Sequence, residues 1–154
     1  MALVAGLGAK SFRSIFLAEP LISTATIGHK FGPYEVMITA SQAVAYAAAV
    51  GDDKSPNYGD HLAPMTVVAA VLTNLVEDLG LYELRLQTLH VGQEIGWNRK
   101  IKAGEAIRAD ARLAASSFRR GNHFATISVD YSDDGGTQVG TSSTTIIVSG
   151  QDSK

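Results

Sequence analysis

The sequence predicts an α+β fold in which one curved antiparallel sheet wraps around a single buried helix. Two observations predict it: residues 63–79 form an almost wholly apolar helical segment, and at least four segments with strand periodicity follow it. A helix with no polar face needs a sheet that curls around it, which defines a hotdog-like arrangement. An ordinary α+β sandwich is the competing arrangement.

Two elements are predicted before the long helix. Residues Tyr34–Ile38 alternate, with an apolar residue at every second position, and are typical of a strand. Ser41 then begins an alanine-rich run that we expect to form a short helix, capped by Ser41 and ended at Gly51.

The long helix is predicted from the chemistry of its two ends and its middle. Pro64 suits a first helical turn, and Gly80 ends the pattern. Between Met65 and Leu72 only Thr66 is polar, so we expect the helix to be buried on nearly all sides. At roughly 22 Å it is too short to cross a bilayer.

The later strands and turns follow from alternation and glycine placement. Tight turns are predicted at Arg119–Asn122 and Asp133–Gly136. The strands are predicted over Leu86–Arg99, Ala106–Leu113, His123–Tyr131 and Thr141–Val148.

Composition bounds the class of protein. The 154 residues carry 13 Lys and Arg against 15 Asp and Glu, a net charge of −2 that disfavours nucleic-acid binding. The absence of cysteine excludes disulfides and thiolate chemistry and favours a cytoplasmic location. No apolar stretch is long enough for a membrane span. We expect an N-terminal arm over residues 1–26, one domain over 27–150 and a C-terminal tail over 151–154.

Several short motifs then occur in a definite order. They are Tyr46-Ala47, Ala49–Asp53, Pro56 with Tyr58, Ala63-Pro64, Leu89–Glu94 and Arg99–Glu105. In order and spacing this set resembles the MaoC-like dehydratases, the superfamily of (R)-specific enoyl-thioester hydratases, over roughly residues 27–149. The Tyr58 position resembles the FAS1-type branch. The resemblance implies the hotdog fold.

The loop before the long helix corresponds to the family's catalytic loop. In active members an Asp and a His, five residues apart, hold the water that adds to a double bond. Matched residue by residue, Asp53 corresponds to that Asp and Tyr58 to that His, while neighbouring Asp52 can exchange roles with Asp53. A phenol with a pKa near 10 is a poor general base at pH 7. The resemblance implies that subunits with such a change bind the acyl chain while a paired hotdog supplies the Asp and His.

Two histidines are further candidates. His61 follows Asp60 in a short loop, and we put forward the hypothesis that it takes the base role that Tyr58 leaves open. His90 lies in a predicted strand among apolar neighbours, a pattern that favours a core or interface residue. The resemblance places it near the substrate tunnel.

The start of the long helix offers backbone chemistry. Its free N–H groups and the positive end of its dipole can polarise a thioester carbonyl. Pro64 lacks an N–H, so the amides of Met65 and Thr66 are the candidate donors. An ordinary helix start is the alternative.

The expected function is reversible hydration of a trans-2-enoyl thioester to the (R)-3-hydroxyacyl form. The expected substrates are acyl-CoA or acyl-carrier-protein thioesters, with no cofactor or metal beyond that carrier. We expect a homodimer or a heterodimer with a related hotdog subunit. A non-catalytic acyl-binding subunit and a hotdog thioesterase are the alternatives.

Overall fold

The computed structural model describes residues 21–52, 61–82 and 86–149. Its elements are α1 (Leu21–Thr24), β1 (Lys30–Met37), α2 (Ala40–Ala49), α3 (Pro64–Asp78), β2 (Gln87–Trp97), β3 (Ala106–Arg119), β4 (Asn122–Asp133) and β5 (Gln138–Ser149). Each predicted helix and strand is present, although β1 begins four residues before its predicted start at Tyr34 and β3 continues six residues beyond its predicted end at Leu113. The α+β fold class is therefore confirmed.

The described strands form one antiparallel sheet in the order β1-β3-β4-β5-β2. Alternation decides which face of the sheet is buried, because successive strand side chains point to opposite faces. The predicted core positions of β3 and β4 are at most 2% exposed: Ile107, Ala109, Ala111, Leu113, Ala125, Ile127, Val129 and Tyr131.

The two predicted turns are confirmed. Arg120 and Gly121 join β3 to β4 with φ of 50° and 78°, the left-handed pair that a tight hairpin requires. Between β4 and β5, the N–H of Gly136 donates to the carbonyl of Asp133 over 2.9 Å.

The prediction that α3 is buried on nearly all sides agrees with the structure over Met65–Leu72, where every residue is buried or half-buried. The face that packs on the core carries Val67, Val68, Val71 and Leu75, each at most 2% exposed. On the opposite side Ala69 and Ala70 are half-buried, and the polar residues of the last two turns are exposed. Alanine is small enough to lie at the rim of the core without leaving a large apolar surface in water.

The predicted cap of α2 is wrong by two residues. Thr39, not Ser41, is the N-cap, and its side-chain oxygen accepts from the N–H of Gln42 over 3.2 Å. The Gln42 side chain accepts in return from the N–H of Thr39 over 2.9 Å. This reciprocal box satisfies two orphan donors, which a Ser41 cap could not do with the residues that follow it.

Packing of the domain begins within the predicted arm. Ile22 of α1 is 1% exposed and belongs to the main hydrophobic core. Residues 1–20 of the arm and the predicted tail 151–154 lie outside the described residues.

Strand β2 is an edge of the sheet and pairs only with β5 among the described strands. It is 11 residues long and largely exposed. Three of its apolar side chains are in water, with Leu89 61%, Val91 48% and Ile95 38% exposed. A long apolar edge strand is a site where another chain can pair.

Candidate active site at the start of helix α3

The backbone at the start of α3 is extended and then turns abruptly into the helix. Ala63 is the N-cap, with φ −65° and ψ 130°, and it makes no side-chain capping bond. Pro64 occupies the first helical position, where its missing N–H costs nothing. The leading amides of α3 therefore have no capping side chain to satisfy them, and they keep the partial positive charge of a helix start.

The two candidate amide donors differ. The N–H of Thr66 donates to the carbonyl of Ala63 over 2.9 Å, and Thr66 is only 7% exposed. No described residue accepts a hydrogen bond from the N–H of Met65. Of the two candidate donors, only the Met65 amide therefore lacks an acceptor among the described residues.

The segment before α3 is tied to the turn that follows β2. The N–H of Leu62 donates to the carbonyl of Ile101 over 2.8 Å. Leu62 is 5% exposed and Ile101 is fully buried. The same turn is joined to the end of β1, because the N–H of Gly104 donates to the carbonyl of Ile38 over 2.7 Å. The segment before α3 is thus held to this turn, and the turn is held to the end of β1.

His61 lies next to this anchor. Its Nδ1 is buried and has no hydrogen-bond partner among the described residues. A buried imidazole nitrogen without a partner costs roughly 1–3 kcal/mol, so such groups usually have a ligand, a water or a second chain to bond. His61 is therefore the described side chain nearest in sequence to the leading amides that can bind or transfer a proton.

Trp97 is a second buried group without a partner. Its Nε1 is buried and is bonded to no described residue. The indole ring crosses Gly140 on β5 and makes an edge contact with Tyr131, with ring centroids 4.9 Å apart. Burial raises the pKa of Tyr131 to about 12, and its hydroxyl is 2.9 Å from that of Ser142. Tyr131 therefore stays protonated and acts as a structural neighbour of Trp97.

Among the described residues, no hydrogen bond or ring contact joins His90 to the start of α3. His90 lies on β2 seven residues before Trp97, roughly 20 Å along the strand. It is exposed, and its Nε2 is 3.0 Å from the carbonyl oxygen of Gly92. A role for His90 in substrate binding stays a prediction.

Of the other candidate residues in the loop, the structure describes only Asp52. Asp52 is exposed, and its N–H donates to the carbonyl of Ala47 over 2.9 Å at the end of α2. Asp53 and Tyr58 lie outside the described residues. Their catalytic roles stay predictions.

The sequence analysis did not predict that a turn distant in sequence supports the start of α3. Arg99 and Glu105 bracket the turn that carries Ile101, and they were noted only as part of a family motif. An Arg and a Glu six residues apart, with Gly104 between them, is the signal that could have indicated a clamped turn.

Among the residues that the structure describes, no group of three or more His, Asp or Glu side chains could hold a metal ion. Within the same residues, no helix is both long and apolar enough to cross a membrane.

Comparisons with solved structures agree on the fold. A MaoC-like dehydratase from Rhodospirillum rubrum is 16% identical, with TM-score 0.60, covering 82% of this chain and 94% of its own. The R-hydratase PhaJ1 of Pseudomonas aeruginosa is 15% identical, with TM-score 0.62 and 86% of each chain covered. The HadBC (3R-hydroxyacyl-ACP dehydratase) complex of Mycobacterium tuberculosis is 18% identical, with TM-score 0.58, covering 79% and 96%. No curated protein matches the chain.

The curled sheet around α3 is the hotdog fold, as in these structures. Residues 25–141 match the family model described as the FAS1-like dehydratase domain region. The chain therefore belongs to that family.

Proposed function

We propose that this chain hydrates trans-2-enoyl thioesters to (R)-3-hydroxyacyl thioesters, and catalyses the reverse dehydration. The observation that carries the proposal is the start of α3, where the Met65 amide and a buried His61 nitrogen, four residues apart in sequence, both lack a hydrogen-bond partner among the described residues. Membership of a dehydratase family supports the reaction class.

The geometry suits a reaction that places negative charge on a thioester oxygen. In hydration, the oxygen of water bonds to C3, and the electrons of the C2–C3 double bond move toward the thioester carbonyl. The Met65 amide and the dipole of α3 stabilise the enolate oxygen that forms. His61 takes a proton from water as the water oxygen bonds to C3, and the protonated His61 then returns that proton to C2 as the enolate collapses to the product. The step uses no cofactor or metal beyond the thioester carrier.

The carrier is a second part of the proposal. We assign the substrate to acyl chains on CoA or on an acyl carrier protein, because both present the same thioester. HadBC is a 3R-hydroxyacyl-ACP dehydratase, which supports a substrate carried on an acyl carrier protein.

A second hotdog chain completes the proposed site. The exposed apolar side chains of edge strand β2 support pairing there with a copy or a related subunit. The HadBC neighbour is a complex of hotdog subunits, which supports the heteromeric form.

A second candidate function is favoured by Tyr58. Because Tyr58 stands where active relatives carry the loop His, the chain could be the acyl-binding subunit of a heteromeric dehydratase. That subunit would have no turnover alone and would gain it only with a partner that carries an intact Asp/His loop.

The discriminating experiment is hydration of crotonyl-CoA by the purified chain, followed by loss of enoyl absorbance. We expect turnover by the chain alone and a reduction of at least roughly 100-fold in His61→Ala, the usual range for a lost general base. The matched control is His123→Ala, since His123 contacts Phe118 at the opposite end of the sheet.

The other outcomes separate the alternatives. Turnover that is absent from the chain alone and appears on co-expression with an Asp/His-bearing hotdog supports the binding subunit. Release of free thiol from crotonyl-CoA would identify a thioesterase. Full activity in His61→Ala would remove that residue from the mechanism.

A further inference from the structure

The turn after β2 and the turn between β4 and β5 are joined by one ionic network. A guanidinium nitrogen of Arg99 donates to Oε2 of Glu105 over 3.2 Å, and the other bonds both Oε1 of Glu105 and Oδ2 of Asp133, the latter over 3.2 Å. The two carboxylates are largely covered, with side chains 22% and 20% exposed. A single exposed ion pair contributes little to the free energy of unfolding. A guanidinium that bonds two carboxylates at once, however, fixes the relative positions of the two turns that carry them.

Each carboxylate also accepts a hydrogen bond from a backbone N–H of its own turn. Oε2 of Glu105 accepts from the N–H of Lys102 over 3.1 Å. Oδ1 of Asp133 accepts from the N–H of Thr137 over 2.9 Å. The pKa of Glu105 is lowered mainly by its bond from Arg99, and the pKa of Asp133 mainly by its bond from the Thr137 backbone. Both groups are therefore charged throughout the neutral range.

The clamped turn carries the residue that holds the start of α3. Ile101 lies between Arg99 and Glu105, is fully buried, and accepts the N–H of Leu62 over 2.8 Å. Leu62 follows His61 directly and precedes the uncapped N-cap Ala63. Because α3 has no side-chain cap, this backbone bond contributes directly to where its leading amides point.

We infer that the network of Arg99, Glu105 and Asp133 is a positioning device for the candidate active site, acting through Ile101 and Leu62. None of the three touches the reacting atoms; they fix the location of the Met65 amide and His61. The inference rests on the proposed function for its catalytic consequence, but its structural part can be measured independently.

The test combines amide hydrogen exchange with steady-state kinetics on Glu105→Gln and Asp133→Asn. Asp110→Asn is the matched control, because it removes an ion pair of similar length, 3.0 Å to Arg108, on β3 away from the turn. We expect Leu62 to exchange about tenfold faster in the network variants, and kcat for crotonyl-CoA to fall about fivefold or more with KM little changed. Arg99→Lys, which keeps the charge but loses the planar fork that binds Glu105 through two nitrogens, should give an intermediate effect.

The two arms separate the possible failures. Leu62 exchange that matches the Asp110→Asn control overturns the inference, whether or not the protein turns over substrate. Faster exchange with kcat unchanged in an active enzyme overturns the catalytic consequence. Faster exchange in a protein that shows no hydration, alone or with a partner, supports the structural device and counts against the proposed function instead. Melting temperatures matched to the control show that a kcat loss is not general unfolding.

Discussion

Gly140 is the position at which the environment of Trp97 can be tested most sharply. A Cβ built on Gly140 would lie 1.7 Å from Cε3 of the Trp97 ring and 2.2 Å from Cζ3. Such distances are far inside van der Waals contact, and the ring is confined by its edge contact with Tyr131. Gly140→Ala must therefore displace the indole.

The expected cost of Gly140→Ala is about 1–3 kcal/mol, the range for overpacking a filled site. For a domain of this length each kcal/mol corresponds to about 2–4 °C in Tm. The assay is urea unfolding followed by circular dichroism. Gly92→Ala is the control, since its added Cβ would meet the Thr145 Cβ at an ordinary 3.6 Å.

A double-mutant cycle decides whether Trp97 is the cause. In a Trp97→Ala background the added methyl has room, so Gly140→Ala should cost close to nothing. An equal cost in both backgrounds would refute the reasoning. Trp97 is the single tryptophan of the chain, so its fluorescence reports the displacement directly.

Three further predictions concern the fold and its assembly. Tyr34→Phe removes the 2.5 Å hydrogen bond from the phenol to Asp78 at the end of α3. We expect the free energy of unfolding measured in urea to fall by about 1 kcal/mol, and an unchanged value would show that this bond does not stabilise the fold. The pKa of Glu105 is lowered by Arg99, so the network stabilises the fold above the ordinary carboxyl pKa and that stability is lost as pH falls; Glu105→Gln should flatten the decline of Tm below about pH 5, and parallel curves would contradict this. Leu89→Lys should shift the proposed dimer toward monomer in sedimentation velocity, whereas Phe118→Lys, equally exposed but away from the edge strand, should not.

The fold was predictable because its strongest signals are local. The alternation in Ala106–Leu113 and the apolar run after Pro64 depend only on neighbours in sequence, and both appear as predicted. The cap of α2 was misplaced because Thr39 and Ser41 are both good caps. Only the partner Gln42, three residues after Thr39, decides between them.

The site was predictable only in its sequential parts. His61, Pro64 and the amides that follow are neighbours in the chain, and the structure describes them together. The bond from Leu62 to Ile101 and the fit of Trp97 over Gly140 join distant segments. Alternation predicts which face of a strand is buried, but it does not identify which distant strand pairs with it, and these contacts depend on that pairing.

The most direct test of the account is the response of the Met65 backbone amide to a bound thioester, measured by nuclear magnetic resonance with crotonyl-CoA or its unreactive thioether analogue. The account predicts that a thioester carbonyl shifts the Met65 amide strongly, while the thioether, which lacks that carbonyl, shifts it much less. Equal shifts with both ligands, or shifts confined to residues remote from the start of α3, would contradict it.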